Sequence, residues 1–296
     1  METMKKSTGD IEAGVGDNVD LRWAFIRKVY VILALQLLLT VAVATVVVLV
    51  AAIPKFIVTT TPGLLVFIVA QIAPFIVLFP LHRYSNHHPV NLVLLTLFTV
   101  LIAFSVGLSC SFSPDLRFKD AQSLNALGLP LVNPKVFNAW MCIDRGYSVI
   151  LELDMIRHLL VPWFIISSTA LIRKLINGKV VLLTGILTSV VVVTLTLYTF
   201  WAAARGHDFS FLGPFLMVSL LVLIVFSLIQ IFIPFGKLGS TIFGLLVTII
   251  FSGFIIYDTD NLIKRCKYDE YIWASINLYL DIANLFLGML GVSRWQ

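Results

Sequence analysis

Six stretches of this chain, 29–53, 63–81, 91–112, 180–203, 210–235 and 239–263, are predominantly apolar over the length a helix needs to cross about 30 Å of hydrocarbon. So many long apolar runs cannot be hidden inside a soluble domain. The composition agrees: 59% of residues are hydrophobic and 12% charged, at a mean hydropathy of +0.98, which leaves too little charge to cover a soluble surface. Lipid offers the backbone no hydrogen-bond partners, so each run must satisfy itself as a helix. The fold class is therefore all-α membrane protein. A seventh stretch, 272–293, carries Asn277, Asp281 and Asn284 and is consistent with either a span or a re-entrant segment.

The chain divides around these runs. Residues 1–28 form a polar tail, predicted to be disordered, that ends in an interfacial anchor of Trp23, Arg27, Lys28 and, just past it, Tyr30. The tail lacks the short apolar region of a cleaved signal peptide. Helices one to three occupy 29–112, an atypical inserted loop covers 113–177, and helices four to seven occupy 178–293. The loop has one apolar run, Leu159 to Ile172, which contains Pro162 and is too short to span, so it reads as surface-lying.

Positive residues retained on the cytoplasmic side set orientation. With the N-terminus inside, that side receives Lys5, Lys6, Arg22, Arg27, Lys28, Arg83, Arg205, Lys264, Arg265 and Lys267, whereas Lys55, Lys237 and Arg294 fall opposite. The net charge of +5 thus belongs to span ends, and nucleic-acid binding is not indicated. Cys110, Cys142 and Cys266 are far apart and form no CxxC pair, which argues against a zinc site or a disulfide framework.

Two carboxylates interrupt the apolar segments: Asp258 in GFIIYDTDNLI and Asp281 in INLYLDIANLFLGML. A carboxylate in hydrocarbon is costly and marks a functional-site candidate. Asn277, Asp281, Asn284 and Gly288 follow at steps of four, three and four, so they share one helical face that must point into a bundle or a wet cavity. For the asparagines alone, interhelical hydrogen-bond glue is an equal explanation. Counted from Ile272 and Ile263, Asp281 lies about 14 Å and Asp258 about 8 Å into their helices, a mismatch of about 6 Å that tilt or a broken turn would close. If the two meet, both cannot ionise cheaply, and a shared proton makes a latch operated by pH. Asp260 reads as a surface partner of Lys264 four residues on, and His82, Arg83, His87 and His88 read as a solvated loop. Gly178 and Gly206 are assigned to turns.

The segments LRWAFIRKVY, LHRYSNHHPVNL, RGHDFSFLGPF, IIYDTDNLIKR and YDEYIWASINLYLDIANLF, in this order, closely resemble the transmembrane Bax inhibitor motif family, and more narrowly its plant-type LIFEGUARD branch. The resemblance covers 22–112 and 178 to about 290; an insertion of about sixty residues between SCSF and NGKVV stands outside it. It implies a bundle of seven helices with the C-terminal helix central. It also implies an endomembrane protein of the endoplasmic reticulum, Golgi or vacuole that suppresses programmed cell death, with no enzymatic activity and no cofactor. The implied activity is a passive, pH-sensitive leak of calcium, the transported ion. The family's paired aspartates map onto Asp258 and Asp281, and its latch arginine has Arg83 as the nearby candidate. Expected partners are the bilayer, calcium ions, and cell-death regulators or other membrane proteins.

Two other classes compete. An intramembrane aspartyl protease also places two aspartates on consecutive helices, one after a tyrosine, as in Tyr257 and Asp258. Its second aspartate should follow Gly-x-Gly, whereas Asp281 follows Leu278, Tyr279 and Leu280, which deny a substrate backbone the same approach. A seven-helix receptor would place the N-terminus outside, against the distribution of positive residues.

Overall fold

The computed structural model describes residues 2–50, 52–85, 87–111, 178–232 and 236–293, and among these no strand occurs. The expected insertion at 113–177, with its run from Leu159 to Ile172 and Cys142, lies outside the described residues. The helices are α1 (Glu2–Leu49), α2 (Ala52–Thr59), α3 (Thr61–Arg83), α4 (Val90–Ser111), α5 (Gly178–Ala204), α6 (Leu212–Phe232), α7 (Gly236–Lys264) and α8 (Tyr271–Ser293). Six hold stretches long and apolar enough to cross a membrane: Asp20–Leu49, Leu65–Arg83, Val90–Ser111, Val180–Ala204, Thr241–Lys264 and Tyr271–Ser293. Where a span over 210–235 is expected, α6 runs as one apolar helix of 21 residues.

Three expectations shift. Helix α1 begins at Glu2, inside the tail predicted to be disordered. Extending an existing helix by a residue costs far less than nucleating one, so a span can propagate into polar sequence. Gly178 begins α5 instead of making a turn, whereas Gly206, at φ +82°, does turn the chain after α5, where a side chain would be strained. The seventh segment is one continuous helix of 23 residues. Its polar residues do not break it, because they share one face and leave the rest of the surface apolar.

Of the six long apolar stretches, that of α8 has the largest buried share, 78% against 11% for α5. It packs against α7, α1, α5 and α4, whereas α3 packs on α4 and α2, and α6 on α7. Tyr279, Phe251, Phe254 and Phe98 are the largest side chains sealed in this interior. Leu35, Leu38, Val69, Ile76, Leu182, Val193, Phe215 and Ile249 stay exposed, an apolar exterior that suits hydrocarbon.

Three connections and the Arg22–Lys28 stretch of α1 gather at one end of the helices. The Arg22 guanidinium donates to the Cys266 carbonyl at 2.5 Å, the Lys28 ammonium lies 3.3 Å from the centre of the Tyr271 ring, and Arg265 pairs with Asp208 at 3.2 Å. With His88 of the α3–α4 loop beside the Tyr271 hydroxyl, the Arg22–Lys28 stretch of α1 and the α3–α4, α5–α6 and α7–α8 loops thus share the end that carries the positive residues assigned to the cytoplasmic side.

Candidate functional site

The α7–α8 contact is set by glycine. A methyl group at Gly288 would lie 2.7 Å from Val247 Cγ1 and 3.0 Å from Thr248 Oγ1, and one at Gly244 would lie 2.9 Å from the Gly288 carbonyl. Without side chains at these points the two antiparallel backbones approach closely, the means by which helices associate where no hydrophobic force drives them together. The contact also fixes register. Carried toward the connecting loop, it sets Asn277 level with Asp258 and Phe254 level with Asp281.

Counted along that register, Asp281 lies about 6 Å further from the loop than Asp258. Side chains on a helix tilt toward its N-terminus. In an antiparallel pair this tilts a side chain on α7 away from the loop and one on α8 toward it. Asp258 is 6% exposed and Asp281 1%. Asn284 is equally buried, and the side-chain oxygens of Asn277 and Asn284 are sealed with no hydrogen-bond partner among the described residues. Such acceptors are costly in a dry interior and call for water or a cation.

Other sequence-derived positions differ. Asp260 does pair with Lys264, at 2.5 Å, but it is buried at 1% exposure and not on a surface. It also accepts from the Phe209 amide at 3.2 Å, and Lys264 donates to the His207 carbonyl, so the α5–α6 loop covers the pair. Arg83 is exposed at the end of α3, outside the buried aspartate group. The histidine loop is exposed but tied down: His82 meets the Trp273 ring edge-on at 5.4 Å, and His88 stacks on Tyr271, with its Nε2 2.6 Å from the hydroxyl. Among the described residues no three His, Cys, Asp or Glu side chains gather as metal ligands.

A second polar set, not read from the sequence, occupies the opposite side of α8. Tyr279 lies two residues before Asp281 and so about 200° round the helix. Its hydroxyl is 2.8 Å from Thr40 Oγ1, whose own proton goes to the Gln36 carbonyl at 2.8 Å, so Tyr279 donates and Thr40 accepts. The Gln36 amide donates to Thr99 at 3.2 Å, and Gln71 to Ser105 at 3.2 Å. The signal for this set was present as two glutamines inside predicted spans, at 36 and 71.

At the loop end, burial raises the Cys266 thiol to about 11, with the negative charges of Glu270 and Asp258 adding to the rise and Arg22 opposing it. Asp208, exposed, is held below its ordinary value by hydrogen bonds from Ser210 and by the Arg265 and Lys264 charges.

The model of the Bax1-I family, described as Inhibitor of apoptosis-promoting Bax1, matches residues 22–130 and 159–292, including all of α3 to α7 within the described residues and nearly all of α8. The chain belongs to this Bax inhibitor family. Protein LIFEGUARD 3 of Arabidopsis thaliana is 46% identical over 96% of this chain and 94% of that relative, and Protein LIFEGUARD 2 of the same plant is 44% identical over 95% and 91%. The Golgi anti-apoptotic protein of vaccinia virus strain Lister is 33% identical over 92% of this chain and 86% of its own length. The Bax1-I match enters the segment 113–177 from both sides, leaving 131–158 between its two parts.

Proposed function

We propose that this Bax inhibitor family member is an endomembrane suppressor of programmed cell death that acts as a pH-sensitive passive calcium leak. The observation that supports the reading is that Asp258 and Asp281 are both buried, on α7 and α8, two helices that pack closely on one another through Gly244 and Gly288. Two close carboxylates in a poorly solvated site favour sharing a proton. With the proton shared the pair is singly charged and compact; with both ionised it repels itself and attracts a divalent cation. Asn277 and Asn284 line the same face and offer sealed oxygens that a partly dehydrated cation would take as ligands. In this reading α6 completes a seven-helix bundle around a central α8, and the end bearing Arg22, Lys28, Arg205, Lys264 and Arg265 faces the cytosol.

The names of the relatives support the cell-death part, and the viral relative's name includes the Golgi. A protease is disfavoured by packing: Gly213 of α6 lies against the Tyr257 ring, and the residues before Asp281 include Tyr279, turned to the far side of α8. Expression in cells challenged with a Bax-type death signal tests the reading. Survival should rise with the native chain and fall back with Asp258→Asn plus Asp281→Asn at equal protein level. Absence of protection by the native chain would refute it.

A further inference from the structure

A groove of about 480 Å³ opens on the outside of the bundle at its positively charged end, between residues 24–35 of α1, the α3–α4 loop and the N-terminus of α8. Its two halves differ in chemistry. Toward the hydrocarbon the walls are apolar and exposed: Val31 and Leu35 from α1, and Leu92 from α4. At the rim toward the membrane surface stand Arg27, Lys28 and His88, all exposed. Among the described residues neither Arg27 nor Lys28 lies within ion-pair distance of a carboxylate. The other cations of this end are differently placed, since Lys264 and Arg265 already pair with Asp260 and Asp208.

The floor is built rather than incidental. Tyr271 is 5% exposed and Asn91 0%, and the Asn91 amide donates to the Tyr271 hydroxyl at 2.9 Å and to the Ser85 carbonyl at 2.8 Å. With that hydroxyl already accepting from Asn91, its own proton points at His88 Nε2, 2.6 Å away. The ring of Tyr271 seats the Lys28 ammonium on its face. A π-face lowers the cost of holding the ammonium there and leaves its donors free for an anion.

We propose that this groove binds one anionic phospholipid of the adjoining leaflet, its phosphate held by Lys28 and Arg27 beside His88, and an acyl chain lying along Val31, Leu35 and Leu92. Charge complementarity selects the headgroup, and the continuous apolar wall selects a lipid over a free anion. Because Tyr271 is the first residue of α8, an occupied groove pins the N-terminus of the helix that carries Asp281.

The test uses the purified full-length chain and short-chain lipids with identical tails. Dioctanoyl phosphatidic acid should raise the unfolding temperature and be retained in native mass spectrometry as a single adduct, whereas dioctanoyl phosphatidylcholine should do neither. Arg27→Gln and Lys28→Gln should each weaken retention by about five-fold, from the worth of one cation beside an anionic lipid, while Arg27→Lys retains it. Arg205→Gln, a cation at the same end stacked on Trp201 outside the groove, should leave retention unchanged. Equal retention of the zwitterionic lipid, equal loss with Arg205→Gln, or stabilisation by inorganic phosphate alone would each overturn the proposal. Arg27 is exposed and makes no hydrogen bond, ion pair or ring contact among the described residues, so Arg27→Gln decides the matter even if Lys28→Gln, which loses its seat on Tyr271, proves unstable.

Discussion

The two sides of α8 are both polar and have opposite bookkeeping. On the side facing α1 and α4, the Tyr279 hydroxyl and the hydroxyls of Thr40 and Thr99 each have a named partner, and of this set the Gln36 side-chain amide oxygen is left over among the described residues. On the side facing α7, two carboxylates and two asparagine oxygens are buried at a seam of glycines, and both asparagine oxygens lack a partner among the described residues. Polarity inside a membrane thus has two meanings. Where donors and acceptors close on one another they hold helices together; where acceptors outnumber donors, the surplus points to something that enters from outside, such as a proton, water or a cation.

The largest expected effect breaks the seam that defines one side. Gly288→Val should lower the melting temperature by many degrees or abolish folding, because even a methyl group would press on Val247 and Thr248. Overpacking of this kind costs about 1–3 kcal/mol or more. Gly185→Ala, on lipid-facing α5 where nothing lies within 4 Å, should be neutral or gain about 1 kcal/mol from helix propensity. Thermal unfolding in detergent measures both, and equal effects at the two glycines would remove the special status of the seam.

A smaller effect separates glue from function. Tyr279→Phe leaves Thr40 without its donor and should cost about 1 kcal/mol of stability while sparing any pH response of ion leak. Asn284→Leu should do the reverse: it removes a sealed acceptor, so stability holds or rises while leak falls. A change in leak with Tyr279→Phe at unaltered stability would dissolve the contrast between the two sides.

The smallest effect is local to the loop end. With its thiol raised from 9.0 to about 11, Cys266 carries little thiolate at pH 8, and alkylation should run about a hundred-fold slower than for an unshifted thiol. The raised value means the folded state holds its proton where the unfolded chain has lost it. Its contribution to stability is therefore intact below pH 9 and lost as pH rises through 11. Rapid labelling of Cys266 at pH 8 in the folded protein would show a loop more open than described.

The sequence made some of this legible and not the rest, for physical reasons. Span length and helical period are local, so α1, α3, α4, α5, α7 and α8, the stripe from Asn277 to Gly288 and the Asp260–Lys264 pair were all readable within single segments. What depends on which helices become neighbours was not readable. Nothing in one segment says that Thr40 meets Tyr279, that the α5–α6 loop covers Asp260, or that His88 and Lys28 converge on Tyr271. The same limit explains Arg83, which was assigned by resemblance to the aspartate latch and stands exposed at a helix end.

The central claim, that Asp258 and Asp281 act as one proton-sharing unit on a cation path, is tested most directly by calcium efflux from proteoliposomes holding the purified chain, followed across pH 5 to 8 at fixed protein content. The native chain should leak calcium at a rate that depends on pH, and Asp281→Asn and Asp258→Asn should each flatten that dependence, with the double variant no different from either single one. A pH-dependent leak that survives both substitutions unchanged would contradict the account.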